Sequence, residues 1–105
     1  MNFEGLVINF ESKENEFTAK IFDGTAWTKF EKTNNTPSSV KVDAKCDKGS
    51  MNISIQYKNR NPVQIMNFVG WHCETINLSD YKNGKYEIMV RGKSVENVSI
   101  KYEFI

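Results

Sequence analysis

From Val40 the chain reads VKVDAKC, with Val40, Val42, Ala44 and Cys46 at every second position and Lys41, Asp43 and Lys45 between them. From Met51, MNISIQYK sets Met51, Ile53, Ile55 and Tyr57 against Asn52, Ser54, Gln56 and Lys58. KYEIMVR sets Tyr86, Ile88 and Val90 against Glu87 and Arg91, with Met89 as an apolar exception. VSIKYEFI sets Val98, Ile100, Tyr102 and Phe104 against Ser99, Lys101 and Glu103. Successive side chains on a strand point to opposite faces, so a period of two predicts half-buried strands. No segment sustains the helical i, i+3, i+4, i+7 pattern for three turns.

Turn chemistry points the same way. Asp23-Gly24 and Asn83-Gly84 each separate two apolar runs. Such pairs tolerate the positive φ that tight hairpin turns need. Residues 32–39 and 58–62 are longer polar connections and contain both prolines, Pro37 and Pro62, where a missing N–H costs no ladder bond. Strands are expected near 3–10, 16–22, 25–31, 39–46, 50–58, 63–70, 73–79, 85–91 and 96–104. Eight or nine short antiparallel strands, each with one apolar face, need a second layer to cover that face. The expected fold is all-β, a single antiparallel β-sandwich domain of jelly-roll type over residues 1–105. Its core would be the stripes Leu6/Ile8/Phe10, Val40/Val42/Ala44, Met51/Ile53/Ile55, Tyr86/Ile88/Val90 and Val98/Ile100/Tyr102.

The run INLSDYKNGKYEIMVRGKSVENVSIKYEF resembles the closing strands of bacterial jelly-roll modules of the carbohydrate-binding type. It has a short strand, a Leu-Ser-Asp turn, Gly-Lys-Tyr, an alternating strand, a loop and a last alternating strand. GSMNISIQYK, at 49–58, is similar to an inner strand of that architecture. The resemblance covers about half the chain and rests on pattern, so it carries over no functional residues. It implies an accessory, non-catalytic module.

Charge narrows the partners. The chain has 105 residues, 14 basic and 13 acidic, for a net charge of +1. That balance creates no field for nucleic acid or an anionic membrane. No apolar run approaches the ~20 residues of a membrane helix. The first residues lack a basic segment followed by an apolar one, so no signal peptide is read and a cytoplasmic location is expected. A secreted form stays open if a leader has been trimmed. Asn34, Asn52, Asn77 and Asn97 begin N-x-S/T triplets, which matter only on a glycosylating secretory route.

Little in the sequence points to catalysis. Trp71-His72-Cys73 joins the only histidine to one of two cysteines. Neighbours on a strand face opposite ways, so His72 is badly placed to activate Cys73. One histidine and two cysteines fall short of a zinc site. The acidic residues are scattered, and no nucleophile elbow, phosphate loop or dinucleotide fingerprint occurs. No cofactor, metal or catalytic residue is expected, and Cys46 and Cys73 read as buried thiols in a reducing compartment.

The aromatic residues carry the functional readings. In TAWTKFE, Trp27 shares a face with Thr25 and Lys29, opposite Ala26, Thr28 and Phe30. If Phe30 is buried, Trp27 faces outward as a stacking platform. The alternative buries Trp27. Around Gly70, VQIMNFVGWH is apolar on both sides, which suggests a strand covered on both faces or a bulge. Either Trp71 and His72 are presented at the rim, or Trp71 plugs the core end and His72 lies in a surface turn. Asn52, Ser54 and Gln56 form a polar face that either is simply solvated or bonds ligand hydroxyls. The partner is then a glycan held on Trp27 or Trp71. A second reading makes the chain a protein–protein module, either a homo-oligomer or an inhibitor-type partner. A small enzyme is the third.

Overall fold

A computed structural model of the chain contains one open antiparallel sheet of five strands. They are β1 (Asn2–Ser12), β2 (Glu16–Lys32), β3 (Ser39–Tyr57), β4 (Val63–Asn77) and β5 (Gly84–Phe104), in the spatial order β1-β2-β5-β3-β4. The structure describes residues 1–57 and 61–105, with Gln64 described by its backbone alone. Residues 58–60 of the expected connection at 58–62 lie outside the described residues. No helix among the described residues is long and apolar enough to cross a membrane.

The strand count is five, not eight or nine, because expected neighbours are continuous. Segments 16–22 and 25–31 are both β2, 39–46 and 50–57 fall on β3, 63–70 and 73–77 on β4, and 85–91 and 96–104 on β5. Asp23-Gly24 is therefore no hairpin turn. It sits inside β2, where the register against β5 shifts between Phe22 and Gly24. Asn83-Gly84 is no hairpin turn either, since β4 and β5 are not paired with each other. The tight hairpin joins β1 to β2, closed by Lys13 N–H donating to the Glu16 carbonyl at 2.8 Å.

One glycine marks the bend of each long strand. Gly5, Gly24 and Gly92 lie in a single ladder row across β1, β2 and β5, with Met51 of β3 next in that row. Gly49 of β3 and Gly70 of β4 stand at the same level, within the register shift between Lys45 and Ser50. The backbones are so close at Gly24 that a Cβ would lie 2.0 Å from the Glu4 carbonyl oxygen. Gly49 has φ +92°, a conformation costly for side chains with a Cβ. Aspartates tie the bend on its outside: the Asp23 carboxylate accepts Ser94 N–H at 3.1 Å, and Asp47 accepts the Asn97 amide at 2.8 Å.

Across this glycine line the sheet doubles over, so the two halves of its inner face meet. Phe30, near one end of β2, packs on Phe104, near the far end of β5, with ring centroids 5.1 Å apart. Phe3 and Phe10, both on β1, touch at 4.6 Å. The space between the halves holds Phe17, Phe22, Val40, Val42, Ala44, Met51, Ile53, Ile55, Tyr86, Ile88, Val90, Val98, Ile100 and Tyr102, all buried. Four of the five expected core stripes are thus in place. The fifth is not: Leu6, Ile8 and Phe10 are 57%, 40% and 50% exposed. Val7, not Leu6, stands against buried Phe22, while Leu6 stands against exposed Asp23, so Leu6 and Ile8 face outward; Phe10, against buried Ala19, lies at the open margin of the edge strand.

Cys46 lies in the core, whereas Cys73 sits opposite Asp43 on the outer face. Both are free thiols, and Cys73 is only half-buried.

Candidate functional site

Doubling the sheet leaves an outer face on each half. Each carries one tryptophan.

On the first face the ladder aligns Trp27 of β2 with Met89 of β5 and Ser54 of β3. The next row aligns Thr25, Arg91 and Asn52, and the row on the other side aligns Lys29, Glu87 and Gln56. Ala26 and Thr28 are buried and Phe30 packs on the core, so alternation turns Trp27 to the outer face, where it is partly buried. Trp27 is not among the buried core residues. Ser54 Oγ donates to Asn52 Oδ1 at 2.8 Å. Asn52, Ser54, Pro62, Met89 and Arg91 line a shallow depression of about 290 Å³. Trp27, Asn52, Ser54 and Gln56, four of the six residues singled out in the sequence, therefore share one surface.

On the second face the rows are Trp71–Lys45–Ser99 and Cys73–Asp43–Lys101–Glu16. Trp71 is 67% exposed, so it does not plug the core. The cause is the irregularity at Gly70, where residues 46–49 of β3 stand against this one residue of β4 and Gly70 takes φ +81°. The indole is nevertheless held: Nε1–H donates to Asp43 Oδ1 at 2.7 Å, a short charge-assisted bond. Asp43, Lys45, Trp71, Ser99 and Lys101 surround a depression of about 430 Å³. Lys101 also reaches Glu16 at 3.6 Å.

His72 belongs to neither face. It lies within β4 rather than in a surface turn, opposite Ala44, and so on the inner side. Its Nε2 is 2.9 Å from Glu74 Oε2, and its ring meets Phe68 at 5.3 Å. Trp71 and His72, adjacent in sequence, thus serve opposite sides of the sheet.

A third depression, of about 380 Å³, opens at one end of the fold between Ile55, Tyr57, Val63, Tyr86 and the 80–82 segment. Burial, and after it the charges of Tyr57 and Tyr81, push the Tyr86 phenol above its usual pKa. Its hydroxyl donates to the Lys82 carbonyl at 2.6 Å. Among the described residues, no group of three or more His, Cys, Asp or Glu side chains is arranged to hold a metal ion.

Sequence reading missed Asp43, Lys45, Ser99 and Lys101. Their outward phase was visible in the alternation, but their proximity to Trp71 depends on which strands pair. No protein-family model matches the chain, and no curated protein matches it.

Proposed function

We propose that this chain is a non-catalytic glycan-binding module of the jelly-roll sandwich type. Each bent strand would supply one strand-like half to each of two layers, which reconciles five continuous strands with the eight or nine expected segments. The observation that carries the functional reading is Trp71: a large aromatic face in solvent, fixed in orientation by Asp43 and ringed by Lys45, Ser99 and Lys101. Sugars offer apolar C–H faces and a rim of hydroxyls. An exposed ring stacks on the first, while carboxylates, ammonium groups and hydroxyls bond the second. Because the indole is already held, less conformational entropy is lost on binding.

Titration of the chain with a panel of soluble polysaccharides, followed by tryptophan fluorescence, tests this. Binding should shift or quench the emission, and Trp71→Ala should weaken it at least about 30-fold, as loss of a central aromatic anchor does. No spectral change with any polysaccharide would sink the reading.

A second reading has its own observation. β1 has a free edge, with Leu6, Ile8 and Phe10 exposed. Unpaired apolar edges accept strands from other chains. Light scattering coupled to size exclusion tests self-association through this edge, and Ile8→Lys should abolish it.

A further inference from the structure

We infer that the chain carries two sites for acidic glycans, one on each outer face, and joins two polysaccharide chains. This rests on the glycan-binding reading and extends it to valency and ligand charge.

The first argument is geometric. Phe30 packing on Phe104 places the two halves of the sheet back to back, so Trp27 and Trp71 stand on the outer faces of different halves. A short oligosaccharide lying flat on one face cannot also reach the other. Each tryptophan heads a similar ladder row, with a long side chain next and a serine hydroxyl beyond: Trp71–Lys45–Ser99 and Trp27–Met89–Ser54. Each also adjoins a depression the size of one or two sugar rings.

The second argument is charge. Lys45, beside Trp71, has no ion-pair partner among the described residues; nor does Arg91, one row from Trp27. Of the nearby carboxylates, two are ion-paired with lysines, and Asp43 keeps its charge with Oδ1 occupied by the indole. Asp43 accepts the Trp71 indole, Glu16 meets Lys101 at 3.6 Å, and Glu87 meets Lys29 at 4.0 Å. Each aromatic face is therefore flanked by a cation free to take an anion. A sugar ring bearing a carboxylate, a uronate, fits both elements: its C–H face stacks and its carboxylate takes the cation, bidentately where that cation is Arg91.

The test uses the whole chain with polygalacturonate, alginate and hyaluronate, their carboxyl-reduced forms, and trisaccharides of each. At least one acidic trisaccharide should bind by calorimetry with two sites per chain. Carboxyl reduction should weaken binding at least ten-fold. The matching polymer should raise light scattering when mixed with the chain. Trp27→Ala and Trp71→Ala should each leave one site and abolish the rise, with far-ultraviolet circular dichroism confirming the fold; Trp27→Phe should retain both sites. One site per chain overturns the inference even if scattering rises, since a dimer of one-site chains would then be the linker. Equal binding of acidic and reduced forms overturns the charge assignment and leaves the glycan reading intact. No binding of any polymer in either form removes both.

Discussion

The Tyr102 hydroxyl donates a hydrogen bond to the Ala26 carbonyl at 3.2 Å, across 76 residues of sequence and from one half of the folded sheet to the other. Tyr102 is fully buried, and its ring fills the space that the bend encloses. This contact exists only because β2 and β5 turn back on themselves. The 3.4 Å approach of Thr28 Oγ1 to Asn15 Oδ1 has the same origin, since those residues stand thirteen apart along the chain.

Tyr102→Phe keeps the ring and removes the bond. The variant should retain the fold and lose about 0.5–1.5 kcal/mol of stability, the net worth of an ordinary hydrogen bond. Urea unfolding should show a lower midpoint with an unchanged slope. A loss near zero would mean that the bond is not made in solution.

Stability should fall in alkali. Burial raises the Tyr102 phenol well above its ordinary 10.0, and Tyr86 is raised as well. A folded-state pKa above the unfolded one means that the folded chain holds the proton after the unfolded chain has released it. Both contributions are complete below pH 10 and decline as pH climbs past it, by at most about 1.4 kcal/mol per pH unit for each tyrosine. Urea midpoints measured from pH 8 to 11 should be flat and then drop. Tyr102→Phe should show a shallower drop than the parent chain.

The glycine row separates steric from conformational cost. Gly24→Ala forces a Cβ against the Glu4 carbonyl, where only backbone movement gives room. It should cost about 3 kcal/mol or more and detach β1. Gly70→Ala meets nothing within 4 Å and bears only the strain of φ +81°, about 1–2 kcal/mol. Thermal or urea unfolding of both variants reads the difference, and hydrogen exchange should show β1 amides losing protection in Gly24→Ala alone.

The two cysteines should react at different rates. Cys73 faces outward and is half-buried, whereas Cys46 is enclosed in the core. A chromogenic disulfide reagent should label one thiol quickly and the second only on unfolding, and Cys73→Ser should remove the fast phase. Because the two lie on opposite sides of one sheet, mild oxidation should produce no intrachain disulfide.

Alternation alone was enough to assign the inward stripes of β3 and β5. Side-chain direction on a strand is local, set by the residue's own backbone. The same local signal could not count the strands. In β3 the buried positions are even from Val40 to Cys46 and odd from Met51 to Ile55. Such a slip of phase looks identical whether a strand ends there or bulges and continues, and Asp-Gly chemistry suits both. Pairing decides between them, and pairing joins residues far apart in sequence, such as Gly24 with Gly92. Leu6, Ile8 and Phe10 were apolar enough for a core, but it is Val7 that pairs with buried Phe22, so Leu6 and Ile8 face outward, a phase that only the pairing of β1 with β2 reveals. The same distinction holds for the candidate sites. That Trp27 shares a face with Thr25 and Lys29 was legible from parity. That Asp43 would grip Trp71, and that the two tryptophans would stand on the outer faces of different halves of the sheet, followed from strand neighbours and a bend that only the folded chain defines.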